Sequence, residues 1–147
     1  MDNLSRRAFL TGAAATAGLA LLPKPSRAGN RPVKMRDLYN KDLSYSDRAR
    51  AWEDTRISVS GYMAPPLKAE STFFVLTKRP MSVCPFCETE AEWPDDILAV
   101  YTKRIFKVVG FNVPIIVHGI LKLSAYKDPE TGFVSRVRLV DSSYEKA

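Results

Sequence analysis

Cys84 and Cys87 stand three positions apart in the run Cys84-Pro85-Phe86-Cys87-Glu88 and are the only cysteines of the chain. Thiols at this spacing can meet one metal ion, or each other in a disulfide. Glu88, Glu90, Glu92, Asp95 and Asp96 come within nine residues of Cys87, and their summed field draws cations toward the thiols. A tetrahedral site for zinc or a similar soft divalent ion needs two further groups. The candidates are Glu88 and His118, the only histidine, so the metal reading is carried by Cys84, Cys87, Glu88 and His118. A plain disulfide or two thiols pinning a loop, with the acidic run merely solvated, is the competing structural reading. His118 has one as well, because it lies between Val117 and Gly119-Ile120-Leu121, where a hydrogen-bonded structural histidine is common.

The run Cys84-Pro85-Phe86-Cys87 also resembles the active dithiol of thioredoxin-like oxidoreductases, which would make Cys84 the nucleophile. The surrounding spacing opposes that fold. Pro94 arrives seven residues after Cys87, too soon for the long helix that such a dithiol heads, and the 26 residues between Cys87 and Pro114 are too few for the helices and strand that fold places there. Hydrolytic catalysis finds no Ser-His or Cys-His pairing in the sequence, and there is no phosphate-cradling glycine loop or dinucleotide fingerprint. Phe73, Phe74, Tyr101 and Phe106 with Lys103, Arg104 and Lys107 could be drawn as a base-stacking groove, but aromatics at strand spacing usually belong to a core. The basic trio is expected to be a solvated face. No catalytic residue is assigned, and the chain reads as a binding protein rather than an enzyme.

The 147-residue chain carries 22 Lys+Arg against 16 Asp+Glu, a formal charge of +6. Much of that excess is an address. Two arginines precede an uncharged stretch, residues 8–22, and small residues Ser26 and Ala28 come after it, the three-part plan of a cleavable export signal. Ser5-Arg6-Arg7-Ala8-Phe9-Leu10 resembles the twin-arginine translocation signal, with Thr11 where that pattern has lysine. The resemblance implies a twin-arginine translocase as partner during export, a periplasmic destination and removal of residues 1–28. The remaining chain holds 18 basic and 15 acidic residues, a net +3. The apolar stretch is shorter than the roughly 20 residues a spanning helix needs, so no stable membrane insertion is expected, and the export signal also takes the protein away from nucleic acid.

The elements between residue 29 and the C-terminus must position the cysteine loop. Residues 29–43 are polar and read as an extended arm. Ser44 and Ser46 offer N-caps to a short helix through Trp52, with Ser44-x-x-Asp47 fitting a capping box. From Arg56 the period changes to two. Ile57, Val59 and Gly61 alternate with Ser58, Ser60 and Tyr62; residues 72–77, 97–102, 114–125 and 133–140 give further strands, and 105–109 a short extension or separate piece. Residues 127–132 are a hairpin loop, and Gly61 and Gly119 mark bends or bulges within strands. The expected class is mainly β, a small OB-like antiparallel barrel of about five strands with one short N-terminal helix, since closure hides strand edges in so short a chain. The domains are thus 1–28 signal, 29–55 arm and helix, 56–147 barrel.

The order Gly61-Tyr62-Met63-Ala64-Pro65-Pro66-Leu67, Phe73-Phe74-Val75-Leu76, Cys84-Pro85-Phe86-Cys87 and Pro114-Ile115-Ile116-Val117-His118-Gly119-Ile120-Leu121 resembles a family of small exported bacterial proteins of unassigned function. Some members are similar to proteins encoded beside transporters implicated in metal uptake. The resemblance implies an accessory role beside such a transporter or an envelope complex and brings no catalytic residues. The reading is therefore an exported binding or accessory protein that handles metal, with a non-catalytic envelope interaction module held by a structural disulfide as the alternative.

Overall fold

A computed structural model describes residues 31–82 and 95–147. Alternating apolar residues make β1 (Arg56–Met63), whose odd-numbered side chains are buried while the even-numbered ones face outward. The later strands are β2 (Phe73–Thr77), β3 (Ile97–Thr102), β4 (Pro114–Lys122), β5 (Tyr126–Lys127), β6 (Val134–Ser135) and β7 (Arg138–Lys146). Five of the strands close a barrel in the order β1-β2-β3-β7-β4, and β5 and β6 form a separate two-stranded sheet. The OB-like expectation holds, with one refinement: β3 and β7 run parallel, while the other barrel pairs are antiparallel.

The barrel interior is filled by Val59, Met63, Phe74, Leu76, Leu98, Val100, Ile115, Val117, Leu121 and Leu139. β2 is buried at all five positions; on its outer side Phe73 and Val75 pack with Ala64, Ile97 and Ala99 under Phe133, from the turn between β5 and β6. Phe73 stacks on Phe133 at 5.2 Å and on Tyr101 at 5.1 Å, and Tyr101 meets the edge of Tyr126 at 5.6 Å. Two-sided burial is why the unbroken run Phe73-Phe74-Val75-Leu76 needs no polar alternation.

β1 and β2 pair only at Tyr62↔Thr77 and Met63↔Leu76. The N-terminal arm covers the remaining edge of β1: the Val33 amide donates to the Ser58 carbonyl (2.7 Å) and the Ser60 amide to the Val33 carbonyl (3.3 Å). Capping an open edge in this way removes a template for unwanted strand pairing. The arm, expected to be extended over residues 29–43, turns instead through a 3-10 segment, Met35–Leu38. Met35 and Leu38 are three apart, so one such turn aims both into the core, where each is buried.

Helix α1 (Asp47–Trp52) starts at Ser46, whose hydroxyl accepts from the Ala49 amide at 3.1 Å and donates to the Asp37 carbonyl at 2.8 Å. The capping box expected from Ser44 does not form. Ser44 is held instead by Asp42, which accepts from both its amide and its hydroxyl. Ala49 is buried and Trp52 packs at the core margin, so the expected helix face is the one used. Residues 105–109 form no strand, β4 ends at Lys122, and β7 runs on to Lys146, well past Val140.

The 127–132 turn is built on Asp128. One of its carboxylate oxygens accepts from the Glu130 amide, the Thr131 amide (2.7 Å) and the Thr131 hydroxyl (2.8 Å), and Gly132 takes φ +73°. Burial works to raise the Asp128 pKa, but these bonds outweigh it and hold the carboxyl below the usual range. The Tyr101 hydroxyl is buried nearby; desolvation first, then the Asp128 charge, push its pKa up. Asp128→Ala is expected to lower stability by about 1–2 kcal/mol, read from urea denaturation at neutral pH, and Asp128→Asn by less. Because the folded pKa is depressed, this stabilisation is present above the unfolded value of about 3.9 and fades as pH falls through the folded one. The wild type should therefore lose more stability below about pH 4 than Asp128→Asn does; equal acid slopes for the two proteins would exclude Asp128 as the titrating group.

Candidate functional site

β4 sits between β1 and β7, and the register places Ser58, His118 and Ser143 in one cross-strand row. Inward positions of β4 are the odd ones, so His118 faces outward, not into the apolar run that flanks it in sequence. Its Nδ1 lies 2.7 Å from the Ser58 hydroxyl and its Nε2 3.1 Å from Glu145 Oε1. Glu145 is the diagonal neighbour, two residues beyond Ser143 on β7, within reach for a long side chain. An ionised carboxylate only accepts, so Nε2 carries a proton, and in the neutral ring Nδ1 accepts from Ser58.

A serine, a histidine and a carboxylate in line invite comparison with a hydrolytic triad. A triad also needs donors aimed at a developing oxyanion. Here the neighbouring backbone amides are engaged in the β1–β4 and β4–β7 ladders, and the row lies on a barrel wall with His118 one-third exposed. The arrangement can orient an imidazole and tie three strands together. A shallow cleft of about 390 Å³ opens beside it, between residues 107–110 and the Tyr144-Glu145-Lys146 end of β7.

A second polar cluster lies at the β4–β7 bulge. Asp141, at φ +54°, receives Arg56 through its carboxylate (2.5 Å) and carbonyl (3.1 Å), and Lys103 at 2.9 Å. This cluster joins β1, β7 and the start of the β3–β4 connection.

Of the four metal-ligand candidates, His118 is placed by β4 with a partner at each ring nitrogen, so ligation through either would displace Ser58 or Glu145. Cys84, Cys87 and Glu88 lie outside the described residues. The loop that bears them leaves β2 at Thr77 and re-enters β3 at Ile97, which pair across the ladder. Its neck is closed further by the Lys78 amide on the Asp96 carbonyl (2.9 Å), while the Thr77 hydroxyl donates to the Arg79 carbonyl (2.7 Å) and fixes the turn of the outgoing limb.

No protein-family model and no curated protein matches the chain. Among solved structures, a crystal structure at 2.45 Å resolution from Pseudomonas aeruginosa superposes with a TM-score of 0.53, covering 82% of this chain and 97% of its own at 16% identity. The chain shares its fold with a DUF3299 family protein. At that identity the likeness speaks for the barrel alone. The neighbour's family has no assigned function, which agrees with the expected resemblance to small bacterial proteins of that kind.

Ser58 and Glu145 were not legible as partners of His118. The outward phase of Ser58 can be read from the β1 alternation, but which residue faces it depends on the β1–β4 register. Glu145 lies beyond the point where the alternation of β7 stops.

Proposed function

We propose that the protein is an exported, non-catalytic binding or accessory protein that takes up a soft divalent cation, zinc among them, at the β2–β3 loop through Cys84 and Cys87. The observation that carries this reading is the pinned neck of that loop. A five-pair ladder ending at Thr77↔Ile97, with Lys78 on Asp96, anchors both ends of one excursion to a rigid barrel. Cys84, Cys87 and all five carboxylates through Asp96 belong to that excursion or to its closing strand entry. Tethering both ends lowers the chain entropy lost when the thiols gather on an ion. Glu88 and His118 are the second-rank ligands, and His118 joins only by giving up Ser58 or Glu145. Export by the twin-arginine translocase delivers the protein to the periplasm, where a metal-uptake transporter or another envelope complex is the partner.

Metal analysis of protein recovered from the export compartment tests this. Near-stoichiometric zinc or copper is expected in the wild type, lost in Cys84→Ser/Cys87→Ser and retained at lower affinity in His118→Ala. A chelator should unmask two thiols. Metal-free wild type of full stability, with oxidised cysteines indifferent to chelator, would replace the proposal with the second reading, an envelope interaction module stapled by a disulfide.

A further inference from the structure

Residues 103–113 join β3 to β4 and hold Lys103, Arg104 and Lys107 with no acidic residue. The segment is firmly seated. Phe106 packs on Phe74 at 4.9 Å, Val109 is partly buried against the core with its amide on Met63 Sδ at 3.4 Å, and Val113 closes a turn on the Gly110 carbonyl. The Phe106 amide donates to the Ser71 carbonyl and the Tyr144 hydroxyl to the Lys107 carbonyl. Between these anchors the other large apolar side chains point to solvent: Ile105 is 61% exposed, Val108 59% and Phe111 41%. Burying Phe106 and Val109 while leaving Ile105, Val108 and Phe111 outside costs solvation that the barrel itself has no use for.

We infer that this loop docks the protein on the interfacial zone of a membrane rich in anionic lipid, with Ile105, Val108 and Phe111 entering the headgroup boundary and Arg104 and Lys107 meeting lipid phosphates. Charge complementarity selects this occupant, because the loop is purely basic. Shape agrees with it. A protein partner would need a matched hole for each protruding side chain, whereas the lipid boundary accepts separate apolar side chains from one rigid base. Lys103 is exposed but ion-paired with Asp141, which leaves Arg104 and Lys107 as the loop cations with no carboxylate partner among the described residues. The inference is independent of the metal reading, since Cys84 and Cys87 take no part in it.

The test is co-sedimentation with phosphatidylcholine vesicles, with and without phosphatidylglycerol. It uses the full chain and, beside it, a chain starting at Gly29, which keeps every described barrel strand, Arg56 to Lys146, so that residues 8–22 cannot account for the signal. Both chains should bind the anionic vesicles far better than the neutral ones, and less as salt rises. Ile105→Ser/Val108→Ser/Phe111→Ser should abolish binding of the shorter chain while leaving its circular dichroism unchanged. Arg104→Ser/Lys107→Ser should weaken it roughly thirtyfold, about fivefold per charge. No binding of the shorter chain to anionic vesicles overturns the inference, as does binding that survives the charge variant or that is equal on neutral lipid. Capture of an acidic soluble protein by the same loop without vesicle binding would also overturn it.

Discussion

Gly119→Ala is expected to destabilise the barrel by about 3 kcal/mol, read as a lower midpoint in urea denaturation with little change in slope. A Cβ at this position would stand 2.9 Å from the Leu139 Cβ and 3.1 Å from the Val140 carbonyl oxygen, and closer still to the Ser142 hydroxyl. Two of these atoms belong to the β7 framework and cannot swing aside. The strand itself would have to retreat at the bulge, where the β4–β7 register shifts between His118 and Ile120. Gly132→Ala is the control. Gly132 has φ +73° with nothing within 4 Å of an added Cβ, so backbone strain of about 1 kcal/mol is the whole cost. Ser142→Ala separates the hydroxyl clash from the rest: its oxygen is buried without a hydrogen-bond partner among the described residues, so its removal alone should be nearly neutral. Combined with Gly119→Ala it should recover part of the loss, a coupling expected only of residues in contact. A Gly119→Ala cost no larger than that of Gly132→Ala would show that close strand approach is not what requires glycine.

That glycine illustrates which parts of the fold are readable in one dimension. Period-two alternation marks β1 well, because one face of it is wet, and the unbroken apolar run of β2 together with Pro65-Pro66 before it bounds the next strand. The 127–132 turn is legible since its chemistry is local: an aspartate accepting from the next residues, and a glycine at positive φ. β7 is only half legible. Its alternation stops at Asp141, where the bulge shifts phase and Ser142 takes an inward position, so a polar run Asp141-Ser142-Ser143 conceals a strand that continues to Lys146. The parallel pairing of β3 with β7 has no sequence signal at all, being a consequence of how the ring closes. The 3-10 turn of the arm rests on two buried residues, Met35 and Leu38, too few to establish a period.

The candidate site divides the same way. Cys84-x-x-Cys87 and its acidic run are visible in the sequence as spacing and composition, and all of that run up to Pro94 lies outside the described residues. The Ser58–His118–Glu145 row depends on two registers, β1 to β4 and β4 to β7, and neither is encoded near His118. The exposed trio of Ile105, Val108 and Phe111 is hidden for a different reason. Apolar residues in an unpatterned stretch look like a strand extension, and only the packing of Phe106 and Val109 decides which of them are left outside.

Phe74→Ala is expected to cost about 3–5 kcal/mol and to loosen residues 103–113 beyond what that global loss explains. Phe74 is 1% exposed and receives Phe106 at 4.9 Å and the edge of Tyr144 at 5.8 Å. Aromatic pairs of this geometry add roughly 0.5–1.5 kcal/mol each beyond burial. Phe106 is the inward anchor of the β3–β4 connection, and Tyr144 clamps the same connection through the Lys107 carbonyl, so one side chain underlies both fastenings. Leu121→Ala supplies the comparison: Leu121 is fully buried but lies at the far end of β4 from Pro114, and its loss should cost about 2–5 kcal/mol while the connection stays seated. Amide hydrogen exchange distinguishes the two. In Leu121→Ala the protected amides of Phe106, Val109 and Val113 should lose protection only in step with global stability, whereas in Phe74→Ala they should exchange through a local opening of lower free energy. Equal behaviour of the two variants at these amides would mean that the connection holds its shape without the Phe74 platform.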